Sequence, residues 1–436
     1  QIFLKFRQFN CIQPEWLKRY VVMSMAATCA IWVGLWPILA WYFHLVSPVS
    51  IVANLLLVPL VSLLVGVGTS VLMLGALIPS VVQWAGLGLS GLVDLTVGCV
   101  HYCHRMPWGY WQVGHPPWIL LVGYYALVAL SLMRRSLRCD VVWVIACWLT
   151  GLNLWLWGSV GARAVASRWL EVTILDVGHG DSLVIRTPSR HTILIDTGTQ
   201  EAGRYVVVPF LQFEGFQTLD ALILTHPDED HVGGAMAVLR HVQVKRLLTN
   251  GAEGTTRVAQ SLFELANAQR LRAERLTAGM RLAGLSGIEV RVLHPPPGFV
   301  PGTAPSSNDN SVVLRVRRQD VSLLLSGDVE EQGIPWLMGR DQALRSTVLK
   351  VPHHGSALGR WGQAFLERVH PSVAVISVGR LHHLPSSAIL QDLASVGATI
   401  FLTRRDGAVT VRTNGVRLEV QTFKNSKKWQ PVNFGF

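Results

Sequence analysis

Two hydrophobic patterns divide this chain. Over the first 160 or so residues the apolar positions form long runs. Val21 to Val46 is mostly apolar and free of Lys, Arg, Asp and Glu, long enough to cross a bilayer. Ser47-Pro48 breaks it. Val49 to Ile78 is a second uncharged run, ended by Pro79. It reads as one tilted span, or as a shorter piece plus a span hinged near Pro59. Ser80 to Cys103 is less hydrophobic and carries Gln83 and Asp94. It reads as a span lining an interior or as an amphipathic helix at the surface. Asp94 is a functional candidate on the first reading and an interfacial residue on the second. Met106 to Pro117 is rich in Trp, Tyr, Pro and Gly, the composition of a headgroup belt. Trp118 to Met133 and Val141 to Trp157 are further spans, giving about five membrane segments.

Later the runs shorten and alternate with turns. Strands are predicted over Glu171–Asp176, Ser182–Arg186, Thr192–Ile195, Ala221–Leu224, Gly287–Leu293, Ser311–Val316, Val321–Leu325, Thr347–Val351, Val373–Val378 and Thr399–Thr403. Helices are predicted over Val232–Val242, Arg257–Ala273, Gly362–Val369 and Ser387–Val396. Asn414-Gly415 is a hairpin signal between Val409–Arg412 and Val416–Val420. The order fits two mixed sheets covered by helices, an α/β sandwich. The tail with Lys424, Lys427, Lys428 and Trp429 reads as a solvated end. The expected domains are residues 1–160, a polytopic α-helical membrane domain, and residues 161–436, a soluble domain.

Composition sharpens that division. Charged residues are only 15% of the 436, too few for a wholly soluble protein. Ten of the 38 Lys and Arg and three of the 27 Asp and Glu precede Leu170, so the net +11 splits into +7 and +4. All 6 Cys also precede it, which leaves the soluble part without a thiolate metal site. The chain opens on Gln1 without a signal-peptide pattern, as expected of a piece of a longer protein. Lys18 and Arg19, and Arg134, Arg135 and Arg138, are assigned to the cytoplasmic side. One more crossing places everything after Gly158 outside.

The chemistry concentrates in Thr225-His226-Pro227-Asp228-Glu229-Asp230-His231-Val232-Gly233-Gly234. Imidazoles and carboxylates at a strand-to-helix turn suit zinc, manganese or iron. Three further stations end predicted strands: Asp196 before Thr197-Gly198, Asp328 after Ser326-Gly327, and His353-His354 before Gly355-Ser356. A sheet brings such ends to one edge, where distant residues can share a metal.

These stations, preceded by Leu175-Asp176-Val177-Gly178-His179-Gly180-Asp181-Ser182, resemble the metallo-β-lactamase fold. The fusion to a Pro-interrupted membrane domain resembles the ComEC family of DNA-uptake channels, over its later membrane segment and C-terminal hydrolase-like domain. The family's first membrane segment and OB-type domain have no counterpart here. Asp228 replaces the second His of the general His-x-His-x-Asp-His pattern, as in ComEC-type members, and the added oxygen tilts metal choice toward manganese. The usual later histidine has no clear counterpart; His294, Asn308 and Asn310 are not assigned as ligands. His179 stands where Gln is usual, and His382-His383-Leu384-Pro385 resembles a late His-Pro station, making His383 a weaker candidate.

The resemblance implies two divalent ions, Mn²⁺ or Zn²⁺. His226, Asp228 and one of His353 and His354 would serve one ion, Asp230 and His231 the other, with Asp328 bridging. Asp230 could also orient water, and Asp196 would orient a ligand. Lys350 either neutralises a phosphate oxygen or is a surface lysine. The implied function is movement of transforming DNA across the bacterial inner membrane, with a metal-dependent nuclease on the outer side degrading the strand that does not cross. Implied partners are single-stranded DNA bound without sequence preference, membrane lipid, other DNA-uptake proteins and a second copy of the chain. The alternatives are a channel whose hydrolase domain only binds DNA or subunits, and a membrane-tethered metallo-hydrolase of another substrate.

Overall fold

The computed structural model describes residues 15–43, 45–47, 49–75, 79–106, 111–112, 118–132, 169–252, 254, 256–305, 307–339, 344–379, 383–425 and 429–432. The chain divides into two compact units, Gln1–Leu152 and Asn153–Phe436. The division expected between residues 160 and 161 lies outside the described residues, as do the run Val141 to Trp157 and the basic cluster at 134–138.

The first unit contains the helices Glu15–Phe43, Ser50–Gly75, Pro79–Arg105 and Trp118–Leu132. Among the described residues, Ser50–Gly75 and the stretch Ala85–Cys103 are long and apolar enough to cross a membrane. A third span results if the two halves Arg19–Trp32 and Gly34–Tyr42, bent by 46°, count as one. Ser50–Gly75 is a single helix with Pro59 inside it. Its hydroxyls bond back along the helix, Ser62 Oγ to the Val58 carbonyl at 2.7 Å and Thr69 Oγ1 to that of Val65 at 2.8 Å. Polar side chains on an apolar helix are thereby satisfied without water. Asp94 lies in Pro79–Arg105 with its side chain exposed.

The second unit is built on a sheet of nine strands and one of six. The first runs in the order Ala273–Arg275, Leu247–Thr249, Ala221–Leu224, Thr192–Ile195, Leu183–Arg186, Leu170–Ile174, Val409–Thr413, Leu418–Thr422, Gln430–Val432. The second runs Glu289–His294, Val313–Arg318, Val321–Leu325, Val348–Lys350, Val373–Ile376, Thr399–Leu402. Alternate residues of the central strands enter different cores. Ile193, Ile195, Ile223, Leu323, Val348 and Val375 fill the core shared by both sheets. Leu194, Leu222 and Leu224 pack beneath Val238 and Leu262 of the covering helices. Leu324, Leu349 and Ile376 pack beneath Phe365 and Leu393 on the opposite outer face. Burial on both faces is why these strands read as continuous apolar runs. Each fully buried Leu or Ile contributes about 1.5–3 kcal/mol.

Local chemistry adjusts several expected elements. The helix expected over Val232–Val242 divides into Glu229–Val232 and Ala235–His241. The break falls at Gly233-Gly234, where a side chain on Gly234 would run into the backbone of Thr197 and Gly203. The helix expected over Arg257–Ala273 closes at Ala268, and Ala273–Arg275 adds a parallel strand to the sheet edge. The tail is not a free end: Gln430–Val432 pairs with Leu418–Val420, and the Trp429 ring lies 3.6 Å from the Arg412 guanidinium carbon. Cation–π attraction and a strand ladder recover what solvation would have offered. Lys427 and Lys428 lie outside the described residues.

Candidate metal centre

The site forms where strand ends from both sheets meet. Thr192–Ile195 and Ala221–Leu224 are parallel neighbours, as are Val321–Leu325, Val348–Lys350 and Val373–Ile376. Their carboxyl ends lead directly into Asp196, His226, Asp328, His354 and Ser377. Asp228 stands at the N-cap of Glu229–Val232, and its carbonyl accepts from His231 N at 3.0 Å and Val232 N at 2.9 Å. This tight turn puts Asp230 and His231 on one short helix. Gly180 closes over it: at φ +113 a side chain there would strike the Asp230 carbonyl.

Asp230, His231, Asp328 and His354 each offer a ligand atom, all within 4.8 Å of one another. His231 Nε2 is 3.1 Å from Asp328 Oδ2, and His354 Nε2 is 3.0 Å from the same oxygen and 3.4 Å from Asp230 Oδ2. The far nitrogens are occupied. His231 Nδ1 is 2.9 Å from Asp196 Oδ2, and His354 Nδ1 donates to the Ser377 carbonyl at 3.1 Å. His226 follows suit. The Thr225 hydroxyl gives its one proton to Asp196 Oδ2 at 2.7 Å, so at 3.1 Å it accepts from His226 Nδ1. His226 Nε2 is then left as a lone pair, buried without a hydrogen-bond partner. Three imidazoles with Nδ1 tied outward and Nε2 inward, beside two carboxylates, fit a divalent cation.

Burial disfavours charge on His231, yet Asp328 and Asp196 outweigh it and hold its pKa well above the ordinary value. Burial likewise opposes charge on His354, but Asp328 and Asp230 push its pKa up to about 9. Asp328 is held well below the carboxylate range: burial raises it, while His231, Lys350 and His354 lower it further. Without a cation, protons on the imidazoles neutralise the carboxylates; a bound ion replaces them. Asp196, His353 and His354 all have positive φ, 54°, 44° and 52°. Left-handed backbone at non-glycine residues is the kind of strain that gathers at functional sites.

The other predicted residues take different places. His354, not His353, joins the cluster, and it joins Asp230 and His231 rather than His226 and Asp228. The turn at 353–354 sends His353 outward, where Nδ1 meets Glu330 Oε1 at 2.7 Å. Asp228 is half exposed, with Oδ2 3.5 Å from His226 Nε2. His383 is exposed and outside the cluster. Lys350 is neither a surface lysine nor open to a phosphate. It is 1% exposed, ion-paired to Asp181, with Nζ 3.0 Å from the Gly327 carbonyl and 3.4 Å from Asp328 Oδ1. It follows the inward alternation of its strand, and an ammonium there requires a carboxylate partner.

Three contributors were not assigned from sequence. Asp181 is that partner. Ser311 Oγ accepts from Asp328 N at 3.2 Å. Asp309 Oδ1 accepts from the backbone N–H groups of Glu330, Gln332 and Gly333 and shapes the loop after Asp328. The run Asn308-Asp309-Asn310 was visible, but nothing local tells a loop-shaping carboxylate from a ligand.

Comparison with known proteins agrees with the geometry. Residues 2–138 match the model for Competence protein, and residues 175–380 that for the Metallo-beta-lactamase superfamily. ComE operon protein 3 of Bacillus subtilis is 30% identical over 87% of this chain and 50% of its own length. Competence protein ComA of Neisseria gonorrhoeae is 31% identical over 64% of this chain and 39% of its own length. The chain thus spans about half or less of these relatives' lengths. Among solved structures, the metallo-beta-lactamase fold protein YhfI from Bacillus subtilis aligns with TM-score 0.37 and 11% identity, over 55% of this chain and 98% of its own. A competence-protein domain is thus followed by a metallo-β-lactamase domain, in that order in one chain, an arrangement consistent with the ComEC family.

Proposed function

We propose that the chain acts in uptake of transforming DNA across the bacterial inner membrane, and that its second domain is a metal-dependent phosphodiesterase. In this reading the membrane domain, residues 1–160, passes one strand. The hydrolase domain, residues 161–436, lies on the outer side and degrades the other. Other uptake proteins and a second copy of the chain are its partners. The observation that carries the hydrolytic reading is the convergence of Asp230, His231, Asp328 and His354 from three separated loops. These four would hold one ion; His226 and Asp228, 3.5 Å apart, would offer donors to another. Bound divalent ions supply Lewis acidity and an activated water for in-line displacement at phosphorus. Asp230, partly exposed and held ionised by its neighbours, would orient a water beside the ion. The oxygen-rich second position favours Mn²⁺ over Zn²⁺. Asp94, exposed on Pro79–Arg105, is proposed to line the strand's path.

The test is cleavage of single-stranded DNA by the purified chain in Mn²⁺ and in Zn²⁺. Metal-dependent cleavage abolished by Asp230→Asn supports the reading. Strand binding without cleavage in either metal would leave a DNA-binding channel domain. Hydrolysis of small esters but never of DNA would point to another substrate.

A further inference from the structure

Beside the metal loop, the second unit carries a basic groove that the hydrolytic reading leaves unused. Its nearer part, a hollow of about 220 Å³, lies between the turn Gly203–Val207 and the helix Ala235–His241 and is floored by Gly233, two residues past His231. Its farther part, about 630 Å³, is lined by residues 239–245 and 269–271. Arg240 and His241 line both hollows. Arg204, Arg240, His241, Lys245 and Arg270 are all exposed along it, and no Asp or Glu is among its lining residues. Lys245 is paired with Asp220 at 2.8 Å; Arg204, Arg240 and Arg270 have no carboxylate partner among the described residues. The remaining polar lining is amide: Gln200, Gln212, Gln243 and Gln269.

We infer that this groove is a track for the sugar-phosphate backbone of a single nucleic-acid strand. Three guanidiniums without a carboxylate partner attract phosphates regardless of sequence. Neutral amides can donate to phosphate or accept from a base edge. The inference rests on the proposed nucleic-acid substrate but not on hydrolysis, because binding is read without metal.

The experiment uses the whole purified chain in neutral detergent with EDTA and fluorescein-labelled poly-dT of about 30 nucleotides, titrated over a salt series. The triple variant Arg204→Ala, Arg240→Ala, Arg270→Ala is expected to bind at least about tenfold more weakly, with a log–log salt slope shallower by about 2. The matching Arg→Lys triple should keep the slope. Hydrolysis of bis(p-nitrophenyl) phosphate in Mn²⁺ should be unchanged, showing the metal site intact. Equal strand binding by wild type and the Ala triple overturns the track. So does loss of flotation with phosphatidylglycerol vesicles without loss of strand binding. If the wild type binds the strand through these arginines yet cleaves nothing in any metal, the hydrolytic reading fails and the track stands.

Discussion

Asp196 Oδ2 lies 2.9 Å from His231 Nδ1, and the same carboxylate accepts from the Thr225 amide and hydroxyl at 2.8 and 2.7 Å. One buried side chain thus orients His231 directly and, through Thr225, His226. Asp196→Asn keeps the shape but replaces the charged acceptor. Mn²⁺ affinity, measured by calorimetry, should fall about 10- to 100-fold.

The two adjacent histidines should separate sharply. His354→Ala removes a buried nitrogen 3.0 Å from Asp328 and should lower the proposed phosphodiester cleavage at least about a hundredfold, with fewer ions bound per chain. His353→Ala breaks only the pair with Glu330, which is partly exposed on both sides. Metal stoichiometry by elemental analysis should not change.

Metal affinity should depend on pH with a definite sign. His231 and His354 carry protons below their raised pKa values, about 9 for His354. An ion needs the Nε2 lone pairs, so binding releases protons and affinity rises with pH, the part owed to His354 levelling above about 9. Below that each released proton steepens the rise by about tenfold per pH unit. A flat profile of Mn²⁺ affinity from acid to alkaline pH would contradict this protonation scheme.

Lys350 and Asp181 form an ion pair in which both side chains are 1% exposed. Lys350→Met should destabilise the domain by about 3–5 kcal/mol, because Asp181 becomes an uncompensated buried charge. Adding Asp181→Asn should recover part of that loss in thermal melts, since no lone charge then remains.

Several features were legible in the linear chain. Mostly apolar runs at Thr192–Ile195, Ala221–Leu224 and Val321–Leu325 coincide with strands end to end, because burial on both faces favours apolar residues along the whole strand. The Asp-x-Asp-His block announced its chemistry because its groups are neighbours in sequence. Tertiary structure alone decided what depends on distance across the fold. It chose His354 over His353 by one left-handed turn, turned Lys350 inward onto Asp181, and drew the tail into the sheet through Arg412 and Trp429. The physical reason is range: periodicity and turn chemistry act over a few residues. Which carboxylate meets which imidazole, 35 residues apart for Asp196 and His231 and 97 for His231 and Asp328, is set only when the sheets pack.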